Sequence, residues 1–228
     1  MKFSFPKPAR LVRSAGFSLI ELLTVIAIIS ILMTVGAIGV NSILGGKGTT
    51  SAVSGVESIF DEARSTAVGK RTKVRVLIDV TDPKSKSNYL RRVLVAYEEL
   101  DENGDPISNE WTIANRGTYL PDATYFSRDF SKKNQETGTQ LDEMTLSNVG
   151  RDFLGSYVYY EFNGEGICTT PGASFIIGAG IREIGATKPR VTASAKRDFG
   201  GFVVWRNGRT SVFRSPDQMN LPSEVGTF

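Results

Sequence analysis

At 228 residues, 40% hydrophobic and 22% charged, the chain has room for one medium domain plus an anchor, and its composition excludes extended disorder. It has no histidine and a single cysteine, Cys168, which excludes an internal disulfide, a cysteine-based zinc site and the commonest general base. The net charge of +3 does not by itself mark a nucleic-acid binder: 27 basic residues less Lys2, Lys7, Arg10 and Arg13 leave 23 against 24 acidic ones, a net of −1 beyond residue 16.

Those four cations form a basic leader, Met1–Gly16. Behind it an uncharged apolar run extends from Phe17 to Gly46, broken only by Glu21. Phe17 to Val40 is 24 residues, about 36 Å as a helix, enough to cross a hydrocarbon core of roughly 30 Å with some tilt. The next charge is Lys47, so the positive-inside rule predicts a cytoplasmic leader and a body on the far side of the membrane. A secretory signal would have a shorter core of about 7–15 residues and be cut after it. A plain signal-anchor explains the length and flanks but not Glu21, because a charge at a helix centre costs roughly 2.5–3.5 kcal/mol. Near the interface a glutamate can also snorkel.

Gly45-Gly46-Lys47-Gly48-Thr49-Thr50 has the look of a phosphate loop, but glycine follows the lysine where Ser or Thr is required. It reads as a flexible joint. Val53, Val56, Phe60, Ala63 and Ala67 then recur at helical spacing with charged residues between them, which predicts an amphipathic helix ending at Gly69. From Lys73 the period becomes two: Val74, Val76, Ile78 and Val80 alternate with Arg75, Leu77 and Asp79, as in a half-buried strand. Further strands are predicted at Arg92–Glu98, Trp111–Ala114, Thr124–Phe126, Tyr157–Phe162, Ser174–Ile177, Phe202–Arg206 and Thr210–Arg214, the last two flanking the hairpin signal Asn207-Gly208. Asp101–Asp105 and Ser127–Gly138 read as polar loops. The first has the acids of a calcium loop, but Pro106 stands where such a loop needs glycine, so a solvated turn is predicted.

Gly16-Phe17-Ser18-Leu19-Ile20-Glu21-Leu22-Leu23 resembles the type IV prepilin signature. The resemblance implies that a membrane aspartyl peptidase cuts between Gly16 and Phe17 and N-methylates Phe17, while the apolar run stays on the mature protein. Glu21 would then pair with the Phe17 amine of a neighbouring subunit, offsetting a desolvation cost that neither charge could bear alone. The implied fold is α+β, a type IV pilin-like lollipop: a long N-terminal hydrophobic helix packed on a C-terminal antiparallel β-rich head. Its parts would be the leader 1–16, a transmembrane and assembly helix 17–44, an outer amphipathic half 45–70 and a periplasmic head 71–228. The implied partners are prepilin peptidase, major and other minor pseudopilins or pilins, and the inner-membrane assembly platform. No cofactor is implied.

The body extends the resemblance to the H-type minor pseudopilins and FimT-like pilins, through Ala63-Arg64-Ser65-Thr66-Ala67, Leu120-Pro121-Asp122-Ala123, Phe162-Asn163-Gly164-Glu165-Gly166 and Trp205-Arg206-Asn207-Gly208-Arg209. The stretches Asp82–Asn88 and Ser127–Asp152 match no part of that pattern. Two functions are implied. The favoured one is a minor pseudopilin of a type II secretion pseudopilus. The other is a FimT-like minor pilin that binds DNA for uptake or acts in pilus assembly. Arg182 to Arg214 holds eight basic residues against Glu183 and Asp198, with Lys196, Arg197, Arg206 and Arg209 as candidate contacts to nucleic acid or a partner. The DNA-binding branch, however, carries a second arginine where this chain has Ser211 after Gly208-Arg209-Thr210. An enzyme is not supported: no nucleophile–base pair, metal cluster or cofactor loop stands at a recognisable spacing.

Overall fold

The structure, a computed structural model, describes residues 19–192, 196 and 198–228, and the side chains of all these except 31–47. The chain divides into two units, Met1–Asn41 and Ser42–Phe228. One helix, α1, is assigned to Leu19–Lys70. In the first unit its described side chains, Leu19 to Ser30, are all exposed, from Leu19 at 82% to Val25 and Ile29 at 46%. Apart from Glu21, Thr24 and Ser30 they are apolar, and they do not keep to one stripe.

In the second unit α1 is amphipathic, as its spacing predicts. Val53, Val56, Phe60, Ala63 and Ala67 are buried, while Glu57 and Arg64 are partly exposed and Asp61 and Glu62 face solvent. Gly45–Thr50, read as a flexible joint, has helical backbone within α1. The helix also runs past Gly69. It stops after Lys70 because Arg71 adopts the left-handed conformation at φ 55°.

Twelve strands follow: β1 (Val74–Asp79), β2 (Arg92–Leu100), β3 (Pro106–Ile113), β4 (Thr118–Tyr119), β5 (Thr124–Phe126), β6 (Lys132–Asn134), β7 (Thr139–Gln140), β8 (Glu143–Leu146), β9 (Gly155–Phe162), β10 (Ala173–Ala179), β11 (Phe199–Val204) and β12 (Thr210–Val212). A first sheet has the order β3-β2-β1-β9-β8, with β4 added on β2; a second runs β12-β11-β10-β5; β6 and β7 form a separate hairpin. All pairings are antiparallel, so the inward residues line up in rows: Val76 lies opposite Val95 and Tyr160, and Phe175 opposite Phe202. The α1 stripe packs against the inner faces of both sheets. Phe60 sits at the centre, its ring 5.0 Å from those of Tyr160 and Phe202 and 6.0–6.1 Å from those of Phe175 and Phe162. The second unit is thus an α+β body in which the helix packs on antiparallel sheets.

β1 is not half-buried. Its inner side chains Val74, Val76 and Ile78 join the main core, while Leu77 joins a second cluster with Leu94, Ala96, Trp111, Leu146 and Tyr157 on the opposite face. The cause is the segment Ser127–Asp152, which supplies β8 and leads into a 3-10 turn at Arg151–Phe153. Met144, Val149 and Phe153 lie over that outer face. The same segment contains β6, so Ser127–Gly138 is not wholly loop. A buried ion pair ties the cover down. Arg92 donates to Asp79 at 2.6 Å, to the Tyr157 hydroxyl at 3.0 Å and to the Asp152 carbonyl at 2.8 Å, and the Tyr157 hydroxyl donates to the Phe153 carbonyl at 2.9 Å.

Burial pushes the Tyr157 phenol up to about 12 from an ordinary value near 10. A raised folded pKa contributes stability that is present below the unfolded value and lost as pH rises through the folded one. Urea-unfolding midpoints should therefore fall between about pH 10 and 12, and Tyr157→Phe should flatten part of that fall. An identical pH profile in the variant would show that this hydroxyl does not carry the effect.

The end of α1 is closely fitted by glycine loops. A β-carbon on Gly164 would lie 2.7 Å from the Arg71 carbonyl carbon, one on Gly166 2.8 Å from Val68, and one on Gly208 2.6 Å from the Gly166 carbonyl oxygen and 2.7 Å from Arg64. Two loops, one after β9 and one between β11 and β12, close on the last turns of the helix with no room for side chains. The second loop also departs from the two-residue turn that Asn207-Gly208 suggests. Gly208 N–H donates to the Trp205 carbonyl at 2.9 Å and Trp205 N–H to the Arg209 carbonyl at 2.8 Å, with Gly208 at φ 73°. This is a three-residue loop with glycine in the left-handed position.

Candidate functional site

Two regions carry the residues expected to act. The first is the apolar segment of α1. Glu21 lies in the first turn of the helix and is exposed, where the positive end of the helix dipole favours a carboxylate. The hydroxyls of the segment are turned onto the helix itself. Thr24 donates to the carbonyls of Ile20 at 3.0 Å and Glu21 at 2.9 Å, and Ser30 to that of Ile26 at 2.8 Å. From Leu19 to Ser30 the surface is therefore hydrocarbon, satisfied hydroxyls and one carboxylate. Gly16 and Phe17, the expected cleavage and methylation positions, lie outside the described residues. Among the described residues no helix is long and apolar enough to cross a membrane. The span expected from Phe17 to Val40 includes residues 17 and 18 and side chains 31–40, which fall outside that description.

The second region is the basic stretch Arg182–Arg214, and the structure divides it. Arg182 is buried. Its guanidinium donates to the carbonyls of Pro83 and Ser85 at 2.5 Å each and of Ala186 at 3.0 Å, tying the 182–186 turn to the Asp82–Asn88 loop. Lys188 is paired with Asp129 at 2.5 Å. Arg206 and Arg209 are exposed in the β11–β12 loop, whereas Lys196 is exposed ahead of β11. A six-residue strand spans roughly 20 Å, so Lys196 and the Arg206/Arg209 pair stand at opposite ends of β11. Arg197 lies outside the described residues. Among the described candidates, Arg206 and Arg209 share a hairpin tip and Lys196 stands apart from them. Buried Arg182 has no sequence signal, because its acceptors are backbone carbonyls, two of them about a hundred positions away.

Neither of the other chemistries considered gains support. Asp101 Oδ1 accepts the backbone N–H groups of Asn103 and Asp105 at 2.8 Å each, and the Asp105 N–H before all holds its carboxyl below the usual range. The acid serves its own turn. Among the described residues no group of three or more His, Cys, Asp or Glu side chains could hold a metal ion. Cys168 is buried, and burial raises its pKa, which disfavours the reactive thiolate.

Compared with curated proteins and with solved structures, the chain has no match. The prokaryotic N-terminal methylation motif matches residues 11–37, covering the end of the leader, Gly16, Phe17, Glu21 and most of the apolar run. Proteins with this segment associate in general with prepilin peptidase and the pilin-assembly machinery. Through that motif, which leads into an α+β body, the chain's N-terminal segment is that of the membrane-associated type IV pilin-like superfamily, whose proteins are processed by prepilin peptidase.

Proposed function

We propose that the chain is a minor pseudopilin, a structural and non-catalytic subunit of a type II secretion pseudopilus. In this reading residues 1–16 are removed, residues 17–44 anchor the protein in the inner membrane and later line the filament core, and the head faces the periplasm at the end of a lollipop stalk. The observation that carries it is the segment Leu19–Ser30: mostly apolar, with its large hydrophobic side chains exposed, and holding one carboxylate in its first turn. Such a surface is complementary to lipid before assembly and to like helices after it. The Glu21 carboxylate would meet the Phe17 amine of a neighbour, and the pairing would set the register between subunits.

Mass spectrometry of protein purified from its own membranes should show N-methylated Phe17 as the terminus. A chain still beginning at Met1 would overturn the reading. Glu21→Ala should leave membrane insertion intact while reducing co-assembly with the major subunit, measured by crosslinking, by roughly tenfold for each 1.4 kcal/mol of pairing lost. Wild-type assembly by the variant would leave Glu21 as an interfacial acid only.

A FimT-like role in DNA uptake is the second reading, favoured by the exposure of Arg206 and Arg209 on one hairpin tip. It ranks lower because Arg182 and Lys188 are committed to the fold.

A further inference from the structure

The outer face of the second sheet carries a cleft that the assembly reading leaves without a role. Phe202 and Val204 point into the core, so their neighbours Val203 and Trp205 face outward. With Pro171 and Gly172 they floor a cleft of about 490 Å³, within the range of roughly 300–1,000 Å³ usual for small-ligand sites. Trp205 is 52% exposed, yet its ring is held in place: the indole N–H donates to Ser211 on the paired strand at 2.7 Å. A half-exposed tryptophan with its polar handle already satisfied offers a rigid aromatic surface.

The walls are amides. Asn134 and Gln135 come from the β6–β7 hairpin and Asn220 from the left-handed residue that ends the 3-10 turn Pro216–Met219. The oxygen of Asn134 accepts the N–H groups of Glu136 and Thr137 at 2.9 and 3.0 Å, and the oxygen of Gln135 accepts the Ser174 hydroxyl at 2.5 Å. Both side chains are thereby oriented, with their NH₂ groups left as the donors. Glu136 adds an acceptor and Arg206 a donor, and their charges offset each other. The hairpin itself is anchored by the Gln135 N–H to the Gly172 carbonyl at 2.9 Å. It belongs to Ser127–Asp152, the segment that matches no part of the pilin pattern.

We propose that this cleft binds a glycan, with one pyranose ring stacked on Trp205 and its hydroxyls bonded by Asn134, Gln135, Glu136 and Asn220. A pyranose presents an apolar C–H face and an equatorial belt of hydroxyls, which fits an aromatic floor ringed by amide donors and one carboxylate. A nucleic-acid base could also stack on the indole, but its phosphates would meet Glu136, and only Arg206 lines the cleft as a cation. The neutral ring is therefore the better match. The site lies on the head and stands whether or not the secretion reading does.

The test is saturation-transfer NMR on the full chain in a zwitterionic detergent with no sugar headgroup, using cellohexaose, maltohexaose and the hexamer of N-acetylglucosamine as probes. At least one should show saturable transfer centred on ring C–H protons. Trp205→Ala should weaken that binding roughly tenfold or more with an unchanged melting profile, and Asn220→Ala should weaken it less. Arg209→Ser, outside the cleft lining, should retain it, and adding Arg206→Ser should weaken it less than Trp205→Ala does. Absence of transfer from all three probes overturns the proposal, as does binding unaffected by Trp205→Ala. Tighter binding of a twelve-residue oligothymidine, lost in the double arginine variant, would reassign the cleft to nucleic acid.

Discussion

Replacing Phe60 with alanine is expected to lower the stability of the head by about 3–5 kcal/mol, the largest effect of any single truncation in the core. Phe60 is fully buried on α1 and its ring meets four others edge-on, with interplanar angles of 64–85°. Two of the four belong to the first sheet and two to the second, so the cavity left by truncation would open where helix and both sheets converge. Edge-to-face pairs add about 0.5–1.5 kcal/mol each beyond area burial, which argues for the upper part of the range. Urea unfolding followed by Trp111 fluorescence should show a lower midpoint with an unchanged slope. A loss below about 1 kcal/mol would mean that the surrounding rings collapse into the space and that Phe60 is not the hub of the core.

The second large effect is expected at Asp79. It is 2% exposed and accepts from Arg92 at 2.6 Å and from the Thr81 N–H at 2.9 Å. Asp79→Ala leaves the Arg92 charge buried without its counter-ion, which should cost about 3–5 kcal/mol. The double variant Asp79→Leu with Arg92→Met should cost far less, because removing both charges removes the desolvation penalty along with the attraction. Equal losses in the single and double variants would show that the pair contributes net attraction. The single variant should also loosen the Arg151–Phe153 turn, since Arg92 holds the Asp152 carbonyl, and amide exchange at that turn would report it.

The success of the sequence reading followed the strength of local signals. The helical stripe Val53–Ala67 and the strands at Thr124–Phe126 and Tyr157–Phe162 are legible because burial on one side imposes a period. β11 begins three residues earlier than its apolar run suggests. Gly200 and Gly201 hide that start, and they are there because β11 passes so close to β10 that a β-carbon on Gly201 would lie 2.2 Å from the Phe175 carbonyl oxygen. The two-sided burial of β1 was illegible, because its cover comes from a segment some seventy residues away whose own pattern is weak. The basic stretch is legible only in part, for a related reason. Charge density along a sequence does not distinguish an arginine bound to carbonyls from one facing water, and Arg182 is the former. The Glu21 segment is the opposite case, since a lone acid in an apolar run is informative before any folding is considered.

The glycine contacts at the end of α1 have a mechanical consequence. In the proposed filament role, load on the head would enter through these last turns of the helix. Gly164 and Gly166 follow a strand of the first sheet, and Gly208 links two strands of the second. The Gly164 main chain abuts that of Arg71 directly, while Gly166 and Gly208 press on the side chains of Val68 and Arg64, so both loops sit tightly against the last turns of the helix. The last turns of α1 are thus tied to both sheets at once, so a displacement of the helix end has to disturb two hydrogen-bonded ladders and not a single loop.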